Sequence, residues 1–189
     1  MNTLQSGLQI VETARRAKLE FGESYAKKYG GAIVVEILRQ ALHEEGIITS
    51  RRDVFVRGVP CEIDLIVPRM NAGPWMDLLY EPNQVLIALE VKKCGSFYAH
   101  GRDKIKNDCA LLKATSIKYD YISFEDRENY KYRPTEDLCG CPCFNLAWHK
   151  QNDGPLEPTQ DWEKLIAFLR KLIAGELTNA KTSALPCPT

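Results

Sequence analysis

The sequence predicts an α/β domain with an αβββαβ core, in which helices flank a mixed four-stranded sheet and extra helices lie at the N- and C-terminal ends. Two observations support this prediction. Apolar residues recur at helical spacing near both ends of the chain, and between these regions they alternate or form short runs. Because three successive strands precede a helix and a fourth strand, the sheet should be mixed, with helices on both faces. We expect one domain over 1–178, with its core at about 30–125, and a disordered tail at 179–189.

Two helices are predicted at the start of the chain. Residues 3–20 have apolar side chains at helical spacing, and a stronger apolar stripe predicts a second helix from about 23 to 45. Gly30 and Gly31 could bend or divide this second helix. Gly46 stands where a helix C-terminal glycine is expected.

Four extended segments predict the sheet. Segments 51–58 and 61–69 are rich in β-branched residues and are separated by a Gly-Val-Pro turn, so they are expected to form a hairpin. After a long connection at 70–84, segment 85–95 is the most apolar of the four and suits a central strand that is covered on both faces. Segment 117–126 is the fourth strand.

The remaining elements follow the third strand. Segment 101–116 combines an apolar face with a basic face and predicts a helix. Residues 127–160 are polar and rich in Pro, Gly and Cys, so loops and short strands are expected there, including one at 143–150. Segment 161–177 has the apolar stripe of an amphipathic helix.

Composition excludes some classes of function. The formal net charge of the 189 residues is zero, so nucleic acid would have to be held by a local patch, a metal or a partner subunit rather than by bulk charge. The start, MNTLQSGLQI, lacks the pattern of a secretory signal, and no apolar run is long enough to span a bilayer. Seven cysteines, an odd number, suggest free thiols in a reducing compartment. We therefore expect a cytoplasmic protein without a membrane partner.

An acid and a base stand at the end of the most apolar strand. Glu90 and Lys92 are two residues apart and therefore point to the same face of the sheet. If segment 61–69 pairs with this strand, Asp64 lies beside Glu90. Two neighbouring carboxylates repel each other unless a divalent cation joins them, and an all-oxygen site suits Mg²⁺ or Mn²⁺. With a lysine to hold or help deprotonate the attacking water and to offset charge on a phosphate, this set fits the hydrolysis of a phosphodiester.

These residues resemble a known signature. Asp64 in EIDLIV and Glu90 and Lys92 in LIALEVKK are similar to the Asp…Glu-x-Lys motif of the PD-(D/E)xK nuclease superfamily, which has the restriction-endonuclease-like fold and the same core order. The resemblance implies that Asp64 and Glu90 bind the metal and that the main-chain carbonyl of Val91 completes its shell. It also implies that Lys92 acts at the water. The chain departs from the motif at Ile63, which stands where the proline is expected.

The first core helix extends the resemblance. In a group of small bacterial members this helix has the form G…E…L…G, which Gly31, Glu36, Leu42 and Gly46 match. The resemblance implies that Glu36 is an auxiliary acid of the site. Alternatively, Glu36 pairs with Arg39 or Gln40 on the same helix.

The resemblance implies a Mg²⁺-dependent DNA endonuclease, in a restriction or phage-defence setting, with a homodimer or a partner protein supplying specificity. The alternative is a catalytically inactive nuclease-fold subunit that binds DNA or a protein partner. Independently of these two functions, Glu90 and Lys92 could simply be a surface-exposed ion pair at the end of a strand, which would contribute little to stability. Glu62 is a spare candidate acid or a solvated strand residue.

For two further groups of residues, the sequence does not decide between a functional and a structural role. The basic side chains that follow the site either contact the phosphate backbone or form a solvated helix face; they are Lys93, Arg102, Lys104, Lys106 and Lys113. A cysteine cluster with a histidine beyond it suggests zinc, but single-residue spacing suits zinc poorly, so free thiols are the default and a zinc-stabilised interaction module is the rival. These residues are Cys139, Cys141, Cys143 and His149.

Overall fold

The computed structural model describes residues 3–70, 72–74, 78–93, 107–108, 110–115, 117–124, 142–149 and 155–183. It confirms a mixed α/β architecture with helices packed on a mixed sheet.

Helices account for both ends of the described chain. α1 (Thr3–Phe21) and α2 (Glu23–Glu44) follow each other directly, and the C-terminal helix is Asp161–Ser183. The C-terminal helix continues past 177, where the apolar stripe predicts its end, and residues 184–189 lie outside the described residues. In the ranges that the structure describes, no helix is long and apolar enough to cross a bilayer.

α2 runs without interruption through Gly30 and Gly31, so these two glycines do not divide it. Its end is as predicted. Gly46 has a φ of 75°, its N–H donates to the His43 carbonyl at 3.0 Å, and the Ile47 N–H donates to the Leu42 carbonyl at 2.9 Å. These two bonds form a Schellman motif, which needs the left-handed conformation that glycine adopts at little cost.

Within the described ranges, two sheets replace the predicted single sheet. The main sheet has five described strands in the order β2-β4-β5-β6-β7, rather than four. Its strands are β2 (Leu65–Pro68), β4 (Val85–Lys93), β5 (Lys118–Phe124), β6 (Cys143–His149) and β7 (Leu156–Pro158). The inner pairs, β4–β5 and β5–β6, are parallel, whereas the edge pairs, β2–β4 and β6–β7, are antiparallel. A short helix is described between β4 and β5, helical at 107–108 and 110–114, and we call it the crossover helix.

The predicted hairpin of 51–58 and 61–69 is the main correction. β1 is only Phe55–Val56 and pairs in parallel with β3 (Leu79–Tyr80), in a second, two-stranded sheet. What remains of the hairpin is an antiparallel bridge between Val54 and Ile63. A local reason is that Asp53 has a φ of 60°, which is not an extended conformation and interrupts the strand that the sequence predicts at 51–58. Segment 70–84, which the sequence predicts to be a connection, contains β3 and the 3₁₀ turn Pro82–Gln84.

The two faces of the main sheet contact different partners. On one face, side chains such as Leu89, Ile122 and Leu146 pack with α1, α2 and the C-terminal helix. On the other face, Ala88 and Tyr121 pack with the crossover helix and with the segment around β1. Glu90 and Lys92 follow Ala88 at alternate positions of β4, so they belong to this second face.

The crossing of α1 over α2 generates the first testable prediction. A Cβ placed on the buried Gly7 would lie 2.4 Å from Cγ2 and 2.6 Å from Cγ1 of Ile37, a β-branched side chain with little freedom to move. We expect Gly7→Ala to lower the free energy of unfolding by about 1–3 kcal/mol, measured by urea denaturation.

Gly31→Ala is the matched control, because a Cβ there meets no atom within 4 Å. In the interior of α2 this change should raise the free energy of unfolding by about 0.5–1 kcal/mol. Equal effects of the two substitutions would contradict the described packing of α1 on α2.

Candidate active site

The site lies where β2 ends against β4. Leu65 pairs with Leu89 in the antiparallel ladder, so Asp64, one residue before β2, lies opposite Glu90. The ladder does not continue to Ile63, which instead exchanges two backbone hydrogen bonds of 2.9 Å with Val54. The Asp64 carboxylate lies where the next ladder bond to β4 would be, and its Oδ2 accepts a 2.7 Å hydrogen bond from the Val91 N–H. The edge of β4 therefore holds the carboxylate in place.

Lys92 joins the two acids. Its Nζ donates a hydrogen bond to Oε1 of Glu90 and lies 3.6 Å from Oδ2 of Asp64. Glu90 is only 5% exposed, and the Lys92 side chain is 24% exposed. The structure thus brings together the three side chains that the sequence pattern places together, in a largely desolvated position.

A third carboxylate acts on Lys92 from the crossover helix. Burial by itself lowers the pKa of Lys92, but the charges of Glu90, Asp64 and Asp108 outweigh it, and the pKa is raised above its ordinary value. Sequence reasoning missed Asp108, which is buried. A signal was available, because Asp108 stands four residues before the buried Leu112 and so shares the inward face of its helix.

The oxygen atoms around Asp64 and Glu90 fit a hard divalent cation. Over the residues that the structure describes, no three His, Cys, Asp or Glu side chains form a metal-binding group. The candidate side-chain ligands here are therefore the two carboxylates of Asp64 and Glu90. Because the N–H and C=O of a strand residue point to the same edge, the Val91 carbonyl faces the same side as the Asp64 carboxylate. Two carboxylates and a carbonyl suit Mg²⁺, which keeps several of its waters.

Glu36 has partners on its own helix. Its carboxylate accepts hydrogen bonds of 2.9 and 2.7 Å from the Arg39 guanidinium and one of 2.8 Å from Gln40. The bond with Arg39, opposed by burial and aided by Gln40, lowers the pKa of Glu36. This is the alternative pairing that the sequence allows, and the auxiliary role of Glu36 stays a prediction. Glu62 is exposed and lies outside the strands.

The other candidates are described only in part. Arg102, Lys104 and Lys106 lie outside the described residues, and Lys93 is described only as the last residue of β4. Of the cysteine cluster, Cys139 and Cys141 lie outside the described residues, as does the side chain of His149. Cys143 is half-buried at the start of β6. Nucleic-acid binding and zinc binding by these groups stay predictions.

No protein-family model matches the chain, and no curated protein matches it. Among solved structures, the chain is similar to NucC of P. aeruginosa in its cAAA-bound form, with a TM-score of 0.55 and 13% sequence identity. The match covers 93% of this chain and 88% of NucC. At this identity the likeness shows the fold alone. The likeness therefore supports the resemblance found in the sequence at the level of the fold.

Removal of Lys92 should leave two carboxylates facing each other. We expect Lys92→Met to lower the free energy of unfolding at pH 7 by about 2–3 kcal/mol, less than for a fully buried pair because part of the side chain is exposed. The deficit should shrink above about pH 10.4, because a raised pKa means that the wild-type ammonium contributes fully below its ordinary pKa and its contribution is lost at higher pH.

Urea denaturation at several pH values measures this effect. Lys164→Met is the control, because Lys164 is an exposed lysine paired with Asp161 at 2.8 Å, and its removal should have no measurable effect. A Lys92→Met variant as stable as wild type at pH 7 would contradict the close approach of Asp64 and Glu90.

Proposed function

We propose that the chain is a Mg²⁺-dependent (or Mn²⁺-dependent) endonuclease that hydrolyses phosphodiester bonds of DNA. One observation supports this above all: Asp64 and Glu90 meet across two paired strands, with the Lys92 ammonium in contact with both. The likeness to NucC agrees with a nuclease role and with a restriction or phage-defence setting. We also propose that a homodimer or a partner protein supplies specificity.

Asp64, Glu90 and the Val91 carbonyl are the proposed metal ligands. A bound Mg²⁺ would supply Lewis acidity and make a bound water a stronger nucleophile. The Val91 N–H fixes one oxygen of the Asp64 carboxylate, which orients this ligand before any cation arrives. The low exposure of Glu90 keeps bulk water from competing for it.

Lys92 has the properties of a cationic donor rather than of a base. Its raised pKa keeps it protonated at neutral pH, so it can donate hydrogen bonds to the attacking water or to a phosphate oxygen. Glu90 orients the ammonium, and the ammonium offsets the negative charge that accumulates on the phosphate as water attacks in line with the leaving oxygen.

The same contact favours the second candidate, a catalytically inactive subunit that binds DNA or protein. With Lys92 against Glu90 and Asp64, the charges of the site are partly balanced without a metal. A site of this kind could persist as a structural ion cluster. Cleavage assays separate the two candidates.

The test is the cleavage of supercoiled plasmid with Mg²⁺ or Mn²⁺ by wild type, Lys92→Ala and Asp64→Asn. We expect both variants to cut at least about 100-fold more slowly than wild type, because each loses a group that acts on the water or the metal. Arg57→Ala is the control, since Arg57 pairs with Glu81 beside the small sheet, and it should cut at the wild-type rate.

Absence of cleavage by wild type with either cation, alone or with natural partners, would support the inactive subunit. Wild-type rates in Lys92→Ala and Asp64→Asn would place the activity elsewhere. Melting curves of each variant exclude loss of folding as the cause.

A further inference from the structure

A row of polar side chains crosses the sheet beside Lys92. In the parallel ladder of β4 and β5, Lys92 pairs with Ser123, and in that of β5 and β6, Ser123 pairs with Asn145. Residues in register on neighbouring strands share a face, so all three side chains lie on the face that holds Glu90. With strands about 4.8 Å apart, the Asn145 backbone is about 10 Å from that of Lys92.

Ser123 and Asn145 are joined by a hydrogen bond. Ser123 is fully buried, and its hydroxyl donates to Oδ1 of the half-buried Asn145 at 3.0 Å. With Oδ1 taken by Ser123, the amide nitrogen is the donor end of the Asn145 side chain. The hydroxyl therefore selects the orientation in which this amide is held.

The backbone of Asn145 is fixed from the other side. Its N–H donates to Oδ2 of Asp161 at 3.1 Å, and its carbonyl accepts a hydrogen bond from the Thr159 hydroxyl. That hydroxyl also accepts from the Asp161 N–H at 3.0 Å. These bonds attach β6 to the start of the C-terminal helix. The β5–β6 register shifts immediately after Ser123, and such irregularities re-aim side chains next to active sites.

Stability alone does not explain this pair. Ser123 is fully buried, and apolar residues of similar volume in place of a buried polar pair can be neutral or stabilising. The pair lies near the carboxyl ends of the parallel strands β4 and β5, the end of a parallel sheet at which ligands bind.

We infer that the Asn145 side-chain amide donates a hydrogen bond to a DNA phosphate next to the one being cut, and that Ser123 is the residue that positions it. The inference rests on the proposed function for its substrate. At about two strand spacings from Lys92, the amide is offset from the reacting phosphate, so its role is to hold the DNA strand in register with Asp64, Glu90 and Lys92.

The test is equilibrium binding of a fluorescent DNA duplex, measured by anisotropy in EDTA, where cleavage cannot interfere. Asn145→Asp keeps the shape and the acceptor for Ser123 but replaces the donor by a negative charge. We expect Asn145→Asp to raise Kd at least about 10-fold and Asn145→Ala to raise it about 3- to 10-fold. Asn83→Asp makes the same change of charge at an exposed position of the 3₁₀ turn, and should bind like wild type.

Ser123→Ala tests the positioning role. It should raise Kd about 3-fold in the wild-type background and not at all in Asn145→Ala, because Ser123 acts through Asn145. Thermal melting reports folding separately. If Asn145→Asp does not fold, Asn145→Ala makes the same comparison.

The inference is overturned if wild type does not bind the duplex, or if both Asn145 variants bind within about twofold of wild type. The inference and the proposed endonuclease activity can each fail without the other. Binding that depends on Asn145, without cleavage in Mg²⁺ or Mn²⁺, would keep the inference and remove the proposed activity. Cleavage by wild type, together with unchanged binding in the Asn145 variants, would remove the inference and keep the proposed activity.

Discussion

The hydrogen bond from the Val91 N–H to the Asp64 carboxylate is the constraint on which the candidate site depends. At Asp64 the chain leaves the main sheet, because Ile63 pairs with Val54 instead of with β4. An unpaired buried N–H at that point would cost about 1–3 kcal/mol. The side chain that satisfies it is the one that the proposed metal needs, so the edge of the sheet and the geometry of the site are determined by a single contact.

The juxtaposition of Asp64, Glu90 and Lys92 could be predicted from sequence because it follows from two rules with little freedom. Side chains alternate along a strand, which places Glu90 and Lys92 on one face. Strands that follow each other in the sequence usually pair, and the pairing of Leu65 with Leu89 places Asp64 opposite Glu90. The end of α2 was equally predictable, since Gly46 acts within a few residues of its own position.

Other features depend on partners that are distant in the sequence. β1 pairs with β3, which is more than 20 residues further along the chain, and the positive φ of Asp53 just before β1 has no dependable sequence signal at a non-glycine residue. Asn145 reaches the row of Lys92 only through the parallel registers of three strands, which no local pattern encodes. Glu36 shows a different limit of sequence reasoning. Its contacts with Arg39 and Gln40 lie within one helix turn, but the sequence was equally compatible with a role at the site.

The division of the sheet into two faces explains how the fold tolerates so many buried polar groups. One face packs α1, α2 and the C-terminal helix in a continuous apolar core, and this face contains most of the buried apolar side chains. Hydrophobic burial there can offset the desolvation of Glu90, Lys92 and Ser123 on the opposite face. Since β4 contributes to both faces at alternate positions, its apolar residues hold its polar ones in place. A strand that looks too apolar to end in an acid and a base is thus the element best able to position them.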